Sequence, residues 1–485
     1  MSNMPANVRI SAQFPFPSGV AGTTPIAITK ANGIWSVALP LDALATQNPS
    51  GGSLTTDYLL VWDSLTGTYF KMPISNVPTG PPGPPGAAGP PGPSGGITDA
   101  PSDGVNYGRK NAAWNNLDTL YAPIAAAAPL DALAYNGMQV NGSMEVSQEL
   151  GTAGTGTNAK YICDGWQLLK GGVPVVLAQQ FGSSLATGFQ SFIGVTVSTA
   201  QPSLAAGDFA CVTQMLEGYR ISRLGWGTAN AQPITIGFWS DHTGAGVYSG
   251  TVRNGAVTRS YAFTYTQNVS NIPQYNTVTI PGCTDGVWPS DNTLAMTISF
   301  AMASGSTLTA PSANTWLNGN YIAAPGQVNS VATTSGVLRI TGVIVLPGIE
   351  VPTAARSAFI MRPFDQELDI CQRYYEKSYL YTSAPGSTIG GQLHTGAAQW
   401  WGPTLTVPIT KGIYIPFKRR KRATPTATIY SPVTGLAGKI YDLTQGGDWT
   451  GTVQYLGDTS INITALVNSG VTNTISAHWI ADARL

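Results

Sequence analysis

Charge is scarce in this chain of 485 residues: Lys, Arg, Asp and Glu together make up 10%, against about 25% in an ordinary globular protein. The 24 cations balance 24 anions, so no electrostatic footprint exists for a partner that is held by its phosphates. A nucleic-acid partner is disfavoured, and so is a mainly helical protein, whose water-facing surface would need many Lys and Glu. Cysteine is equally sparse. Cys163, Cys211, Cys283 and Cys371 form no CxxC pair and have no histidine ladder nearby, which makes them buried thiols rather than metal ligands or disulfides. The three histidines, His242, His394 and His478, are too scattered for a triad or a zinc site, and no GxSxG, HExxH or phosphate-loop pattern accompanies them. No cofactor is implied. No stretch of 18 apolar residues exists, and the opening residues lack a basic region followed by an apolar run, so the expectation is a soluble chain without membrane insertion, made in a cytoplasm.

What the chain has in quantity is glycine and proline, 56 and 35 residues. Between residues 80 and 95 they fall into register as GPPGPPGAAGPPGPSG, with Gly80, Gly83, Gly86, Gly89, Gly92 and Gly95 at every third position. Only a hydrogen side chain fits at the shared axis of three polyproline-like strands, so this period predicts a short collagen-like triple helix of roughly 45 Å and a homotrimer. A stiff single-chain spacer is the alternative, but it has no need of the register. A rod this short cannot hold three chains together unaided. Flanking domains must contribute.

The remaining glycine, with Asn, Ser and Pro, punctuates strands. Residues 28–39 and 57–72 each read as strand, turn, strand, giving an N-terminal β domain over 1–79. Residues 96–135 read as a joint, a short strand followed by a Pro-broken, Ala-rich connector. Residues 136–350 hold about ten strand-like runs with no helical stretch between them, which describes a jelly-roll-like β-sandwich. The one convincing helix is expected at 359–380, within a linker at 351–385. Pro363 stands in its first turn, and Phe364, Leu368, Cys371 and Tyr375 form a stripe at helical spacing. Strands return in a C-terminal β domain over 386–485. The fold class is therefore mainly β, arranged as an elongated homotrimer.

Three passages resemble phage and prophage tail fibres. The GPPGPPG run followed by DGVNYGRKNAAW (103–114) resembles their shaft-to-joint region. NGSMEVSQ (141–148) leading to YICDGW (161–166) resembles the opening of a distal β-sandwich, and RPFDQELDICQRYYEKSY (362–379) with FKRRKRATPTATIYSP (417–432) is similar to a C-terminal block of the same proteins. The resemblance implies a trimeric virion fibre, attached to a tail or baseplate protein through its N-terminal domain, whose distal domains touch the bacterial surface. It supplies no catalytic or contact residues.

The residues themselves suit binding better than catalysis. A depolymerase would need a carboxylate pair, and Asp241, Asp285, Asp291 and Glu217 fall in no motif that fixes their spacing. Isolated loop aspartates usually serve turns. Sugar rings present apolar faces with hydroxyl rims, so aromatic platforms beside polar groups fit them. The stretch 238–254, read as a hairpin, offers Trp239, His242, Tyr248 and Arg253, and HTGAAQWW offers His394, Trp400 and Trp401. The run Lys418, Arg419, Arg420, Lys421, Arg422 is the densest charge and a candidate for lipopolysaccharide phosphates, with a solvated strand end as the alternative. The expectation is a non-enzymatic fibre that binds a bacterial surface glycan. A polysaccharide depolymerase, or a head fibre or collagen-like surface protein without receptor binding, stands as the alternative.

Overall fold

The computed structural model describes residues 27–31, 34–38, 58–66, 68–73, 107–110, 113–116, 137–388, 394–404, 406–467 and 474–485. The glycine-register segment 80–95, with its six candidate trimerisation glycines, lies outside them. The chain divides into two compact units, Met1–Asp118 and Thr119–Leu485. The first contains three antiparallel pairs: β1 (Ala27–Ala31) with β2 (Ile34–Ala38), β3 (Tyr58–Asp63) with β4 (Thr68–Pro73), and β5 (Tyr107–Lys110) with β6 (Ala113–Asn116).

In the second unit, each of the ten strand-like runs between residues 160 and 347 carries a strand. KYICDGWQLL folds into two, β7 (Lys160–Cys163) and β8 (Trp166–Gly171), because Gly165 turns the chain at φ 80°. The others are β9 (Val175–Phe181), β10 (Phe192–Thr199), β11 (Phe209–Glu217), β12 (Ile234–His242), β13 (Gly246–Asn254), β14 (Arg259–Gln267), β15 (Gln274–Ile280), β16 (Leu294–Ser304) and β18 (Val337–Pro347). The short β17 (Trp316–Asn318) adds a twelfth that periodicity does not reveal. They form a five-stranded sheet, ordered β15-β12-β18-β10-β9, and a seven-stranded one, ordered β17-β14-β13-β16-β11-β8-β7.

Alternation buries one face of each sheet in a common core. Phe238 of the smaller sheet meets Phe300 and Tyr265 of the larger at 4.8 and 5.0 Å between ring centroids, both contacts steeply inclined as aromatic quadrupoles prefer. The stretch 238–254 is therefore not a hairpin: β12 and β13 belong to opposite sheets, and the chain between them crosses from one to the other.

The expected helix at 359–380 is shorter than its pattern. A 3-10 segment covers Ala354–Ile360, the helix α1 covers Phe364–Gln372, and β19 (Tyr375–Lys377) follows. Pro363 sets the helix start. Its end is dictated by pairing, because Tyr375–Lys377 joins Ile480–Asp482, and a sheet ladder outweighs helical propensity there. Of the expected stripe only Leu368 and Cys371 pack together, against Val140 and Val146, while Phe364 is exposed and Tyr375 is a buried strand residue.

The last sheet contains β19, β20 (Ala398–Trp401), β21 (Ile409–Pro416), β22 (Thr426–Tyr430), β23 (Lys439–Asp442), β24 (Gly447–Gln454), β25 (Ser460–Val467) and β26 (Thr474–Asp482). β26 pairs with four of them, β19, β20, β22 and β23. This sheet is bonded to the sandwich. Arg484 lies between the rings of Tyr161 and Tyr375, at 4.2 and 4.4 Å, and reaches Glu149 at 2.6 Å. Arg373 forks onto Glu217 at 2.8 and 2.9 Å. Among the described residues no helix is long and apolar enough to cross a membrane.

Candidate functional site

The seven-stranded sheet has a second face, turned away from the core. Strand alternation places Thr213 of β11, Ser299 of β16 and Thr251 of β13 there in one row, since Thr213 pairs with Ser299 and Ser299 with Thr251. Gln167 of β8 extends the row beyond Thr213. One step along, Thr297 and Arg253 stand opposite each other. These side chains form a polar stripe beside an apolar patch of Cys211, Ala301, Ile322 and Ala323, which the segment after β16 covers.

Arg253 governs the stripe. Its residue is 5% exposed, and its guanidinium donates to Asn320 Oδ1 at 2.7 Å and to Ser299 Oγ at 3.0 Å. Ser299 in turn shares a hydrogen bond with Thr213 at 2.9 Å. Both partners of the guanidinium are neutral. Burial pulls its pKa down, and no carboxylate offsets that. Arg253 Nε, Thr251 Oγ1 and Gln167 Oε1 are buried without a hydrogen-bond partner among the described residues. Each such atom costs about 1–3 kcal/mol. All three lie in buried residues on one sheet face, Thr251 completely so, and the exposed Asn320 stands at the solvent side of Arg253.

The other residues singled out from 238–254 do not join it. Trp239 lies on the smaller sheet, donates to Ser357 Oγ at 3.0 Å and packs on Tyr275. His242 and Tyr248 do meet, but inside the sandwich, stacked at 3.5 Å between ring centroids. His242 Nε2 contacts Tyr265 OH at 3.1 Å, and burial pushes the imidazole pKa down to about 3, so the ring is neutral. It is core.

In the last sheet, Trp400 and Trp401 take opposite faces of β20. Trp400 packs on the core with Lys411 above its ring, while Trp401 is 71% exposed. His394 holds Ser476 Oγ at 3.1 Å, and partial burial lowers its pKa.

The basic run is largely spent on structure. Lys421 is buried against Glu376 with its ammonium also bonded to the carbonyls of Gln372 and Arg419. Arg422 donates to the carbonyls of Asn292, Ala483 and Arg484. Arg419 pairs with Asp369 and Arg420 with Asp458, and both, like Lys418, reach solvent. Five consecutive cations read as a patch because the carboxylates and carbonyls that take up four of them come from elsewhere in the sequence.

The weighed carboxylates have structural partners too. Glu217 holds Arg373, Asp241 holds Arg339, Asp285 holds Arg259, and Asp291 caps its own turn through Thr293. The four cysteines are buried free thiols.

No protein-family model matches this chain, and no curated protein matches it. Among solved structures, the enzymatically active domain of tailspike protein 4 of bacteriophage CBA120 is 15% identical at a TM-score of 0.25, over 44% of this chain. The match spans 22% of that tailspike chain. A CBM4 structure is 16% identical at a TM-score of 0.23, covering 43% of this chain and 97% of the other. The family 11 carbohydrate-binding module from Clostridium thermocellum, solved with a mixed-linked tetrasaccharide, is 11% identical at 0.21, covering 41% and 99%. Likeness at this level assigns no function. The architecture that the chain itself displays is mainly β, with sandwiched sheets.

Proposed function

We propose that the protein is a virion fibre subunit that trimerises through residues 80–95, attaches through its N-terminal domain and binds a bacterial surface glycan without covalent chemistry. The observation that carries the binding reading is the end of the polar stripe, where the buried guanidinium of Arg253, with Nε unpartnered, lies beneath the exposed Asn320. A glycan supplies hydroxyls that both donate and accept, and a chain with 10% charged residues offers little to any ligand recognised by charge alone. The glycine register supports three copies per fibre, and three modest sites on one particle gain avidity by effective concentration. Trp401 is a second contact surface in this reading.

The test is a pull-down of the full-length protein on purified host-surface polysaccharide, followed by an assay for new reducing ends. Capture without reducing ends is expected. Release of reducing ends would replace the reading with a depolymerase, and failure to capture any host polysaccharide would leave a structural fibre.

A further inference from the structure

Other than Arg253, the buried cations among the described residues are matched to specific partners. Arg362 faces Glu367, Lys421 faces Glu376, and Arg484 faces Glu149 and Asp482, each with an ion pair. Lys377 is held by the backbone carbonyls of Tyr381 and Ser383. Arg253 differs. A guanidinium has five N–H donors, and here two are met by the neutral oxygens of Asn320 and Ser299 while Nε has none. No ion pair reaches it among the described residues.

The two ends of this guanidinium have different surroundings. Ser299 lies within the sheet, fully buried, whereas Asn320 is an exposed residue between β17 and β18. Its amide oxygen therefore occupies the solvent-side position where a ligand oxygen would arrive. A carboxylate there would exchange a neutral hydrogen bond for a charge-assisted one, about twice as strong, and can engage two donors of the fork at once.

We infer that Arg253 reads the carboxylate of an acidic sugar, so that the glycan taken by this face contains a uronic acid or another carboxylated residue. The inference rests on the glycan-binding reading and narrows it to a ligand class. Asn320 acts as a neutral placeholder, set aside when the sugar carboxylate arrives.

The experiment measures binding of the full-length protein to uronate-containing bacterial capsular oligosaccharides, each paired with its carboxyl-reduced form, with inorganic phosphate and free glucuronate as competitors. Wild type is expected to bind the acidic forms at least tenfold more tightly than the reduced ones. Asn320→Ala is expected to keep that preference. Asn320→Asp places a carboxylate on Arg253 from within the protein, so it is expected to abolish the preference and to raise the melting temperature. Asn320 is exposed but bonds the buried Arg253, so a melting curve of each variant accompanies the binding measurement. Equal binding of acidic and reduced forms, or full acid preference in Asn320→Asp, overturns the carboxylate assignment while leaving glycan binding in place. Competition by phosphate as strong as by free glucuronate also overturns it, in favour of a phosphorylated glycan. Binding of neither member of any pair removes the glycan reading itself.

Discussion

His242 and Asp164 are both buried where the charged form is disfavoured, yet they tilt stability in opposite directions with pH. Burial lowers the His242 pKa to about 3, so below its unfolded value of about 6.5 the unfolded chain takes up a proton that the folded one refuses. Stability from this group is complete above about pH 6.5 and is lost on acidification, at about 1.4 kcal/mol per pH unit. Burial raises Asp164 to about 7, with Gln148 donating to its carboxyl at 2.8 Å. Its contribution is complete below about pH 4 and is lost as pH rises towards 7. The two slopes oppose each other between about pH 4 and 6.5. Asp164→Asn should therefore expose a steep loss of stability on acidification, and His242→Phe should expose the reverse, read as urea midpoints across that range. Parallel profiles for wild type and both variants would contradict this account. Neither environment was legible in the sequence. Asp164 precedes a turn glycine like many surface aspartates, and His242 ends a strand like many exposed ones.

At the scale of elements, adjacent residues separate by the face they occupy. Trp400→Ala removes a side chain from the core of the last sheet and should cost about 1–3 kcal/mol in denaturant unfolding. Trp401→Ala should leave stability within about 0.5 kcal/mol and weaken glycan capture, and unchanged capture would exclude β20 from the contact surface. The basic run divides in the same way. Lys421→Met strands Glu376 as a buried unpaired charge and should cost about 3–5 kcal/mol, whereas Arg420→Ala, on an exposed pair, should cost about 0–1 kcal/mol. Equal effects would contradict the burial difference. These contrasts mark how far a sequence can be read. Apolar runs bounded by turn residues located the long strands of the sandwich, because both signals are local. They could not tell that β12 and β13 serve different sheets, nor that Tyr375 would leave the helical stripe for a partner about a hundred residues away. Arg253 was visible as a polar group on a strand. Its missing counter-charge was not, because that is a property of everything packed around it.

For the whole molecule, the glycine register and the neutral surface make separate demands. Full-length protein should sediment at about three times 50.6 kDa, and replacing Gly83 and Gly89 with alanine should lower the temperature at which the trimer dissociates. A monomer would overturn the trimer outright. Within the second unit, Asn141 of NGSMEVSQ accepts Trp166 Nε1 on its carbonyl at 3.0 Å and donates its backbone N–H to Glu367 at 2.6 Å, so three sequence blocks meet at one residue. The pairing of β26 with four other strands has a temporal consequence as well. Those four lie between residues 375 and 442 and are translated before their shared partner, Thr474–Asp482. Until then their edges stay open to neighbouring nascent chains, so closure of the last sheet follows synthesis of its final strand. In polysomes this interval is when misassembly between copies competes with correct folding.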